Sequence, residues 1–261
     1  MPMIRTLLSV AVLAAGAAFS SNLSLGVPAG DAASVLAAAR EALGGGKKLA
    51  GVTSFLATGR TRQLRGENLV PIEFEIACEL PDKYVRRDEF PAQDLPPAVN
   101  GFRGEDAIGP SKTTREEFAR LMLGAFAVAS PVFPLTFAYA AEAEAPEGKA
   151  DVLDVSGPAN FSARFVVQRE THMPVMLMWQ AAAPAGRGGV PGALPGGPGR
   201  GTGGPPAEHR LYYADYRAVS GGVKWPFRIR HAVAGATIEE TTFDRVTINA
   251  TIDPKKFEAL K

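Results

Sequence analysis

The C-terminal part of the chain shows the clearest alternation of hydrophobic and polar positions. The segment between Gly221-Gly222 and Gly235 carries apolar residues at one parity (Val223, Trp225, Phe227, Ile229 and Val233) and basic residues at the other (Lys224, Arg228 and Arg230). A period of two predicts a β-strand with one face against apolar matter and the other in water. Segments 210–219 and 246–249 predict the strands before and after it.

Similar segments fill much of the chain before this point, with Gly, Pro, Asn or Asp between them. Short polar turns can join only antiparallel neighbours, so the pattern predicts an antiparallel meander. The predicted strands are 52–64, 69–80, 83–90, 98–108, 135–143, 151–155, 161–168 and 175–180.

Two segments have helical periodicity instead. Asp31 can cap a helix that ends at Leu43 before three glycines, with an apolar stripe of Val35, Leu36, Ala39 and Leu43. Thr114-Arg115-Glu116-Glu117 has the form of a capping box, and it precedes Phe118, Leu121, Met122, Ala125 and Phe126 at helical spacing. A short turn is predicted at 255–259.

These elements predict an α+β chain that is mainly β, with about ten strands and two helices. Two helices are few for a sheet of that breadth. A curled sheet that they do not fully cover would leave an apolar concave surface able to hold a small apolar ligand.

Composition distinguishes an N-terminal segment and an internal segment from the rest of the chain. Residues 1–20 combine Arg5 with an apolar stretch that is too short to span a bilayer, which predicts a cleaved secretory signal peptide and a mature protein in the periplasm or outside the cell. Residues 21–261 are predicted to form one domain, in which 181–206 is a disordered Gly/Pro-rich insertion. A division into two domains at this insertion is the alternative.

Charge and cysteine content narrow the class of protein. The 261 residues carry a net charge of only +1, and no basic cluster is interleaved with aromatics, so nucleic acid is not expected as a partner. The single cysteine, Cys78, excludes an internal disulfide. Its spacing from Ile72, Phe74, Ile76 and Leu80 predicts a buried small hydrophobe rather than a reactive thiol.

Catalytic and metal-binding signatures are missing from the sequence. It has no G-x-S-x-G, H-E-x-x-H, C-x-x-C, Walker or dinucleotide motif, so we expect neither an enzyme nor a cofactor. His172, His209 and His231 lie far apart without ligand partners at metal spacing. His172-Met173 with Met176 and Met178 could bind copper, although two methionines on one strand face are more often core filler. Glu73, Glu75 and Glu79 share a face that we expect to be solvated.

The C-terminal residues resemble those of the outer-membrane lipoprotein carrier LolA and related lipoprotein-sorting proteins. The resemblance rests on Leu211-Tyr212-Tyr213-Ala214-Asp215-Tyr216, on Gly221-Gly222-Val223-Lys224-Trp225-Pro226, and on Asn249, Ile252-Asp253-Pro254 and Phe257. It implies an open antiparallel half-barrel sheet wrapped over helices, with an apolar cavity for acyl chains. It therefore implies a lipid or lipoprotein carrier that takes part in transport and outer-membrane biogenesis.

The apolar stripes supply candidates for the lining of such a cavity, for which ordinary core packing is the alternative role. They are Phe74, Ile76, Phe118, Leu121, Phe126, Trp225, Phe227 and Ile229. The expected partners are acyl chains, with a peripheral membrane contact or an envelope protein as further possibilities. An envelope scaffold with a filled core and a partner-binding Gly/Pro loop is the alternative function.

Overall fold

The computed structural model describes residues 31–145, 148–182 and 206–258. The predicted signal peptide and nearly all of the predicted insertion lie outside these ranges. The described chain forms three α-helices, α1 (Ala32–Ala42), α2 (Gly46–Ala50) and α3 (Thr114–Phe126), with short 3-10 turns at Pro158–Asn160, Ser220–Gly222 and Pro254–Phe257. Its strands are β1 (Ser54–Arg65), β2 (Asn68–Glu79), β3 (Lys83–Glu89), β4 (Ala98–Arg103), β5 (Asp106–Ile108), β6 (Thr136–Ala145), β7 (Gly148–Ser156), β8 (Ser162–Gln168), β9 (Pro174–Ala182), β10 (Pro206–Ala218), β11 (Lys224–Val233) and β12 (Ala236–Ile248).

All twelve strands belong to one open antiparallel sheet in the order β5-β4-β3-β2-β1-β12-β11-β10-β9-β8-β7-β6. Consecutive strands pair with each other within the series β1 to β5 and within the series β6 to β12. β1 and β12 pair at the centre and join the two series. The sheet is not closed, because β5 and β6 are its edges. The expectation of a mainly β half-barrel is confirmed.

The strands differ from the prediction once in number and once in length. The segment 98–108 is broken by Gly104, which adopts a positive φ of 57° and lets the chain fold back as β4 and β5. β12 is far longer than the predicted 246–249. Its first half carries inward-facing polar residues, Glu239 and Thr241, which a search for apolar alternation does not detect.

One face of the sheet, here called the inner face, is covered by α1 and α3. The predicted cap of α1 is confirmed, since the Asp31 carboxylate accepts hydrogen bonds from the amides of Ala33 (3.2 Å) and Ser34 (3.3 Å). The helix α3 begins at Thr114 as predicted, but the predicted capping box is wrong, because the N-cap side chain accepts no hydrogen bond from a helix amide. Thr113 is the N-cap, its hydroxyl donates to the Glu117 carboxylate (2.7 Å), and Thr114 is the first helical residue.

Two apolar clusters meet at α3. Phe118, Leu121 and Phe126 pack on the half of the sheet that contains β1, β2 and β11, whereas Ala119 and Leu123 face the half that contains β7 to β10. α1 packs in the second cluster through Leu36, Ala39 and Leu43. α3 therefore links the two halves of the core.

The opposite, outer face is not uniformly solvated. The C-terminal segment crosses it, so that Ile252 and Phe257 pack with Ala77 and Val85. This corrects the expectation for the three glutamates of β2. Glu73 is exposed, but Glu75 and Glu79 are half-buried and form ion pairs with Lys256 and Lys83 respectively.

Candidate functional site

The eight predicted lining residues come together where α3 packs on the inner face, with Phe118, Leu121 and Phe126 on the helix and the other five on β2 and β11. Seven of them are buried, with exposures from 0% for Phe118 and Trp225 to 8% for Leu121 and Phe227, and Ile229 is half-buried at the margin. Their side chains belong to one continuous cluster with Phe55 and Phe243. The five strand residues therefore share the inner face, and the three helix residues pack against them.

Aromatic contacts hold the centre of this cluster. The Trp225 ring lies 5.1 Å from Phe55, 5.7 Å from Phe126 and 5.5 Å from Phe243 between ring centroids. Phe74 makes an edge contact with Phe243 at 5.4 Å. Tilted and edge-on rings at these separations are favourable geometries for aromatic pairs.

The indole nitrogen of Trp225 is the polar exception inside the cluster. The side chain is fully buried, and its Nε1 donor has no hydrogen-bond partner in the described part of the chain. Leaving a buried donor unpaired costs about 1–3 kcal/mol, so such a group in a native interior requires a reason. A ligand oxygen placed here would remove the cost.

α3 is held on the inner face by two tyrosine hydroxyls from β10. Tyr213 donates to the carbonyl of Arg120 (2.7 Å), and Tyr216 donates to the carbonyl of Gly124 (2.8 Å). Burial raises the pKa of both hydroxyls, which therefore stay protonated and able to donate. A Cβ on Gly124 would lie 2.2 Å from the Tyr213 ring, so glycine is needed for this close approach.

A polar network continues the inner face beyond the apolar cluster. Arg86 donates to Asp88 (2.7 Å) and to the Thr61 hydroxyl (3.1 Å), and its guanidinium lies 4.6 Å from the centre of the Phe74 ring. Thr61 in turn bonds to Thr241 across the central strands at 2.9 Å. The side chains of this network pair with each other, which explains how a polar strip can line the interior.

Two histidines that are distant in sequence form a buried pair. His209 Nδ1 and His231 Nε2 are 3.0 Å apart, and the Trp179 ring stacks on both at centroid separations of 5.2 and 5.3 Å. The Arg120 guanidinium lies 4.3 Å from the Trp179 ring centre. Burial lowers the pKa of His209. Burial, the neighbouring His209 and the charge of Arg120 together lower the pKa of His231 to about 4.

Sequence patterns do not predict this pair, since antiparallel strands bring together residues whose separation in sequence gives no signal. Val233 was expected on the apolar face of β11, and it is buried in the structure. The register shift beside His231 and Ala232 comes from one extra residue in β12, and β11 itself stays in regular register with β10. Within the described residues, no group of three or more His, Cys, Asp or Glu side chains could hold a metal ion.

The copper and thiol alternatives can be placed as well. Met176 and Met178 share the outer face with Val152 and Val166, whereas Met173 packs in the cluster around α1. The methionines therefore do not converge on one point. Cys78 is fully buried among apolar residues, and burial raises its pKa, as expected for an inert thiol.

Two sizeable grooves lie away from the eight-residue cluster. One, of about 680 Å³, is lined by β7, β8, β9 and α3 residues, and the other, of about 750 Å³, lies on the outer face near the C-terminal segment. Of the eight predicted residues, Phe74 alone lines either groove. In the described residues no helix is long and apolar enough to cross a membrane.

An open antiparallel sheet curled as a half-barrel around a central helix defines the structural class of this protein. Comparison with solved structures identifies the fold as that of LolA superfamily proteins. A LolA superfamily protein from Nitrosomonas europaea superimposes with a TM-score of 0.58 at 13% identity, covering 87% of this chain and 97% of the other. An outer-membrane lipoprotein-sorting protein domain from Vibrio parahaemolyticus gives 0.52 at 11% identity, with the same two coverages.

No protein-family model and no curated protein matches the sequence itself. Identities this low carry the fold alone. The LolA-like resemblance inferred from the C-terminal residues is thus confirmed at the level of architecture.

Proposed function

We propose that the protein is a periplasmic, non-enzymatic carrier that holds the acyl chain of a lipid or lipoprotein between α3 and the inner face of the sheet. The observation that best supports this proposal is the apolar contact between α3 and β11, which encloses the Trp225 indole, whose nitrogen has no hydrogen-bond partner among the described residues. The ligand's chain would lie between the side chains of α3 and those of the sheet, and a carbonyl oxygen near its head would accept the Trp225 hydrogen. Residues 1–20 would direct export and be removed, and no cofactor is needed.

The energetics of exchange support this site. Burial of each methylene contributes about 0.8 kcal/mol, so about ten methylenes contribute about 8 kcal/mol. The specific attachments of α3 to the sheet include two tyrosine hydrogen bonds, each with a net value of about 1 kcal/mol. A ligand that covers the apolar residues of both α3 and the sheet would keep that surface out of water, so a partial displacement of α3 would mainly break the two tyrosine bonds.

The test is uptake of a fluorescent long-chain fatty acid by delipidated protein that starts at residue 21. Leu121→Asn places an amide in the α3 contact, and we expect at least a tenfold loss of affinity. Leu36→Asn is the matched control, because Leu36 also lies on a helix and is 7% exposed against 8% for Leu121, but it faces the other cluster. No uptake by the unmodified protein, or equal loss in both variants, would contradict the proposal.

A scaffold is the second candidate function, and the packing of all eight residues into one cluster favours it. In that case an envelope partner would bind through the Gly/Pro-rich segment, and the interior would take up no lipid. Deleting residues 183–205 separates the two functions. Fatty-acid uptake should survive in a carrier, whereas partner binding should disappear in a scaffold.

A further inference from the structure

The sheet contains a gap between β8 and β9. β8 stays paired with β7 up to Ser162, opposite Ser156, and β9 stays paired with β10 up to Ala182, opposite Pro206. The ladder between β8 and β9, however, ends at the pair Arg164 and Met178. Continuing that register would place residue 163 opposite 179 and residue 162 opposite 180, and neither pair forms.

The groove of about 680 Å³ occupies this gap. Its walls include 162–164 from β8 and 178–181 from β9, which are the segments on the two sides of the interrupted ladder. The two hairpins, β7–β8 and β9–β10, therefore diverge and leave open space between them. We call this space the β8–β9 split, with 162–163 and 179–182 as its two edges.

The edges of the split resemble the free edges of a sheet. Residues in an antiparallel strand direct their main-chain N–H and C=O groups alternately to the two sides. Part of the main-chain groups of 162–163 and 179–182 consequently points into the split, where the described chain supplies no strand partner. Such groups are a template for another extended polypeptide.

We propose that the β8–β9 split binds an extended segment of a partner protein, which adds to the sheet through main-chain hydrogen bonds. Four residues of β9 span about 13 Å, which sets the length of the paired segment. An acyl chain is a poor occupant, because it would remove water from these main-chain groups without replacing their hydrogen bonds. None of the eight residues proposed for acyl binding lines the split.

The walls define the side chains that such a segment would carry. On the inner side lie Glu116 and Arg120, which pair at 2.9 Å, while the Arg120 Nε is buried with no hydrogen-bond partner among the described residues. On the outer side lie Asp154 and Arg164, which pair at 3.3 Å. Alternate residues of a bound strand would face these two polar walls, so the split fits a segment of polar or mixed-charge residues with a hydrogen-bond acceptor directed at Arg120.

A random twelve-residue peptide library displayed on phage provides the probe. Peptides selected on the protein from residue 21 onward would be synthesised in normal form and with alternate main-chain nitrogens methylated. We expect methylation to weaken binding at least tenfold. We also expect the normal peptides to slow amide hydrogen exchange at 162–163 and 179–182.

A disulfide that reversibly closes the β8–β9 split provides the second test. Ser162→Cys with Gln180→Cys places thiols at the two edges, and the oxidised form should lose at least tenfold in peptide affinity and regain it on reduction. Val166→Cys with Met176→Cys is the control, since it joins the same strands where they are already paired. Its affinity should be equal in both redox states. Fatty-acid uptake should not change in either pair, which separates this test from that of the carrier.

The outcomes decide in both directions. Protection at the edges of the split with dependence on peptide N–H groups supports the proposal, even if the disulfide does not form. Selection of no peptide, protection only at another segment such as the free edge of β6, or indifference to main-chain methylation overturns it.

Discussion

Asn249 joins the end of the sheet to the chain that enters β1. Its side-chain oxygen accepts the amide of Thr53 (2.8 Å), and its side-chain nitrogen donates to the carbonyl of Gly51 (3.1 Å). The residue also has a positive φ of 55°, which asparagine tolerates better than most residues. Asn249, one of the residues on which the LolA-like resemblance rests, therefore stabilises the structure.

Substitutions at Asn249 can separate its two contributions. Asn249→Gly keeps the backbone conformation accessible and removes the side-chain bonds, so we expect a loss of about 1–3 kcal/mol in the free energy of unfolding. Asn249→Ala should cost about 1 kcal/mol more, because alanine also disfavours positive φ. Urea denaturation measures both. Equal stability of the two variants would show that backbone conformation contributes nothing here.

The buried histidine pair predicts loss of stability in acid. The pKa of His231 is about 4 in the folded protein, whereas an unfolded histidine titrates near 6.5. Between these values the unfolded state binds a proton that the folded state does not, so stability is complete above about pH 6.5 and falls as the pH approaches 4. Because His231 is partly exposed, the effect is at most about 3 kcal/mol.

The measurement is the change in unfolding free energy between pH 7 and pH 4.5. His231→Gln should reduce that change relative to the unmodified protein, because glutamine does not titrate. His172→Asn, at an exposed turn with a positive φ of 57°, is the control and should leave the pH dependence as it was. The idea fails if both variants retain the full acid effect.

At the scale of elements, α3 depends on one small residue. Adding a methyl group to Gly124 would drive it into the Tyr213 ring, with a separation of 2.2 Å to the nearest ring atom. Overpacking of this kind costs about 1–3 kcal/mol, and here it would also disturb the hydroxyl bonds that hold the helix. We therefore expect Gly124→Ala to destabilise the protein and to speed amide exchange in α3.

A double mutant identifies the cause. In a Tyr213→Leu background the ring is gone, so Gly124→Ala should cost clearly less than it does alone. If the cost is the same in both backgrounds, the contact with Tyr213 is not what requires glycine. Exchange rates at Val85 and Ile108 serve as the internal reference, since their outer-face cluster contains no residue of α3 or β10.

The same elements show how far sequence patterns reach. Strand alternation placed Trp225 and Phe227 on the inner face, because every second residue must lie on the same side. It could not show that α3 would cover them. The placement of α3 depends on Gly124 within the helix and on Tyr213 and Tyr216 of the distant strand β10. Nor could it predict the His209 and His231 pair, whose contact exists only once β10 and β11 are in register.

At the scale of the molecule, the two faces of the sheet are covered by different segments of the chain. The inner face is covered by helices that precede or divide the strands, and part of the outer face is covered by the segment after β12. Phe257 is 2% exposed there and packs beside Val85 and Ile108. A change on the outer face can therefore alter stability without touching the proposed acyl site.

Phe257→Ala tests this independence. Removal of a buried phenylalanine should cost about 3–5 kcal/mol in unfolding free energy. The fatty-acid affinity of the folded protein should nevertheless remain within about twofold, a difference of about 0.4 kcal/mol. Lys255→Ala, on the same 3-10 turn but exposed, should change neither quantity. A large loss of affinity in Phe257→Ala at temperatures where the protein is folded would mean that the outer face takes part in binding, because the mutation leaves every residue of the inner cluster in place.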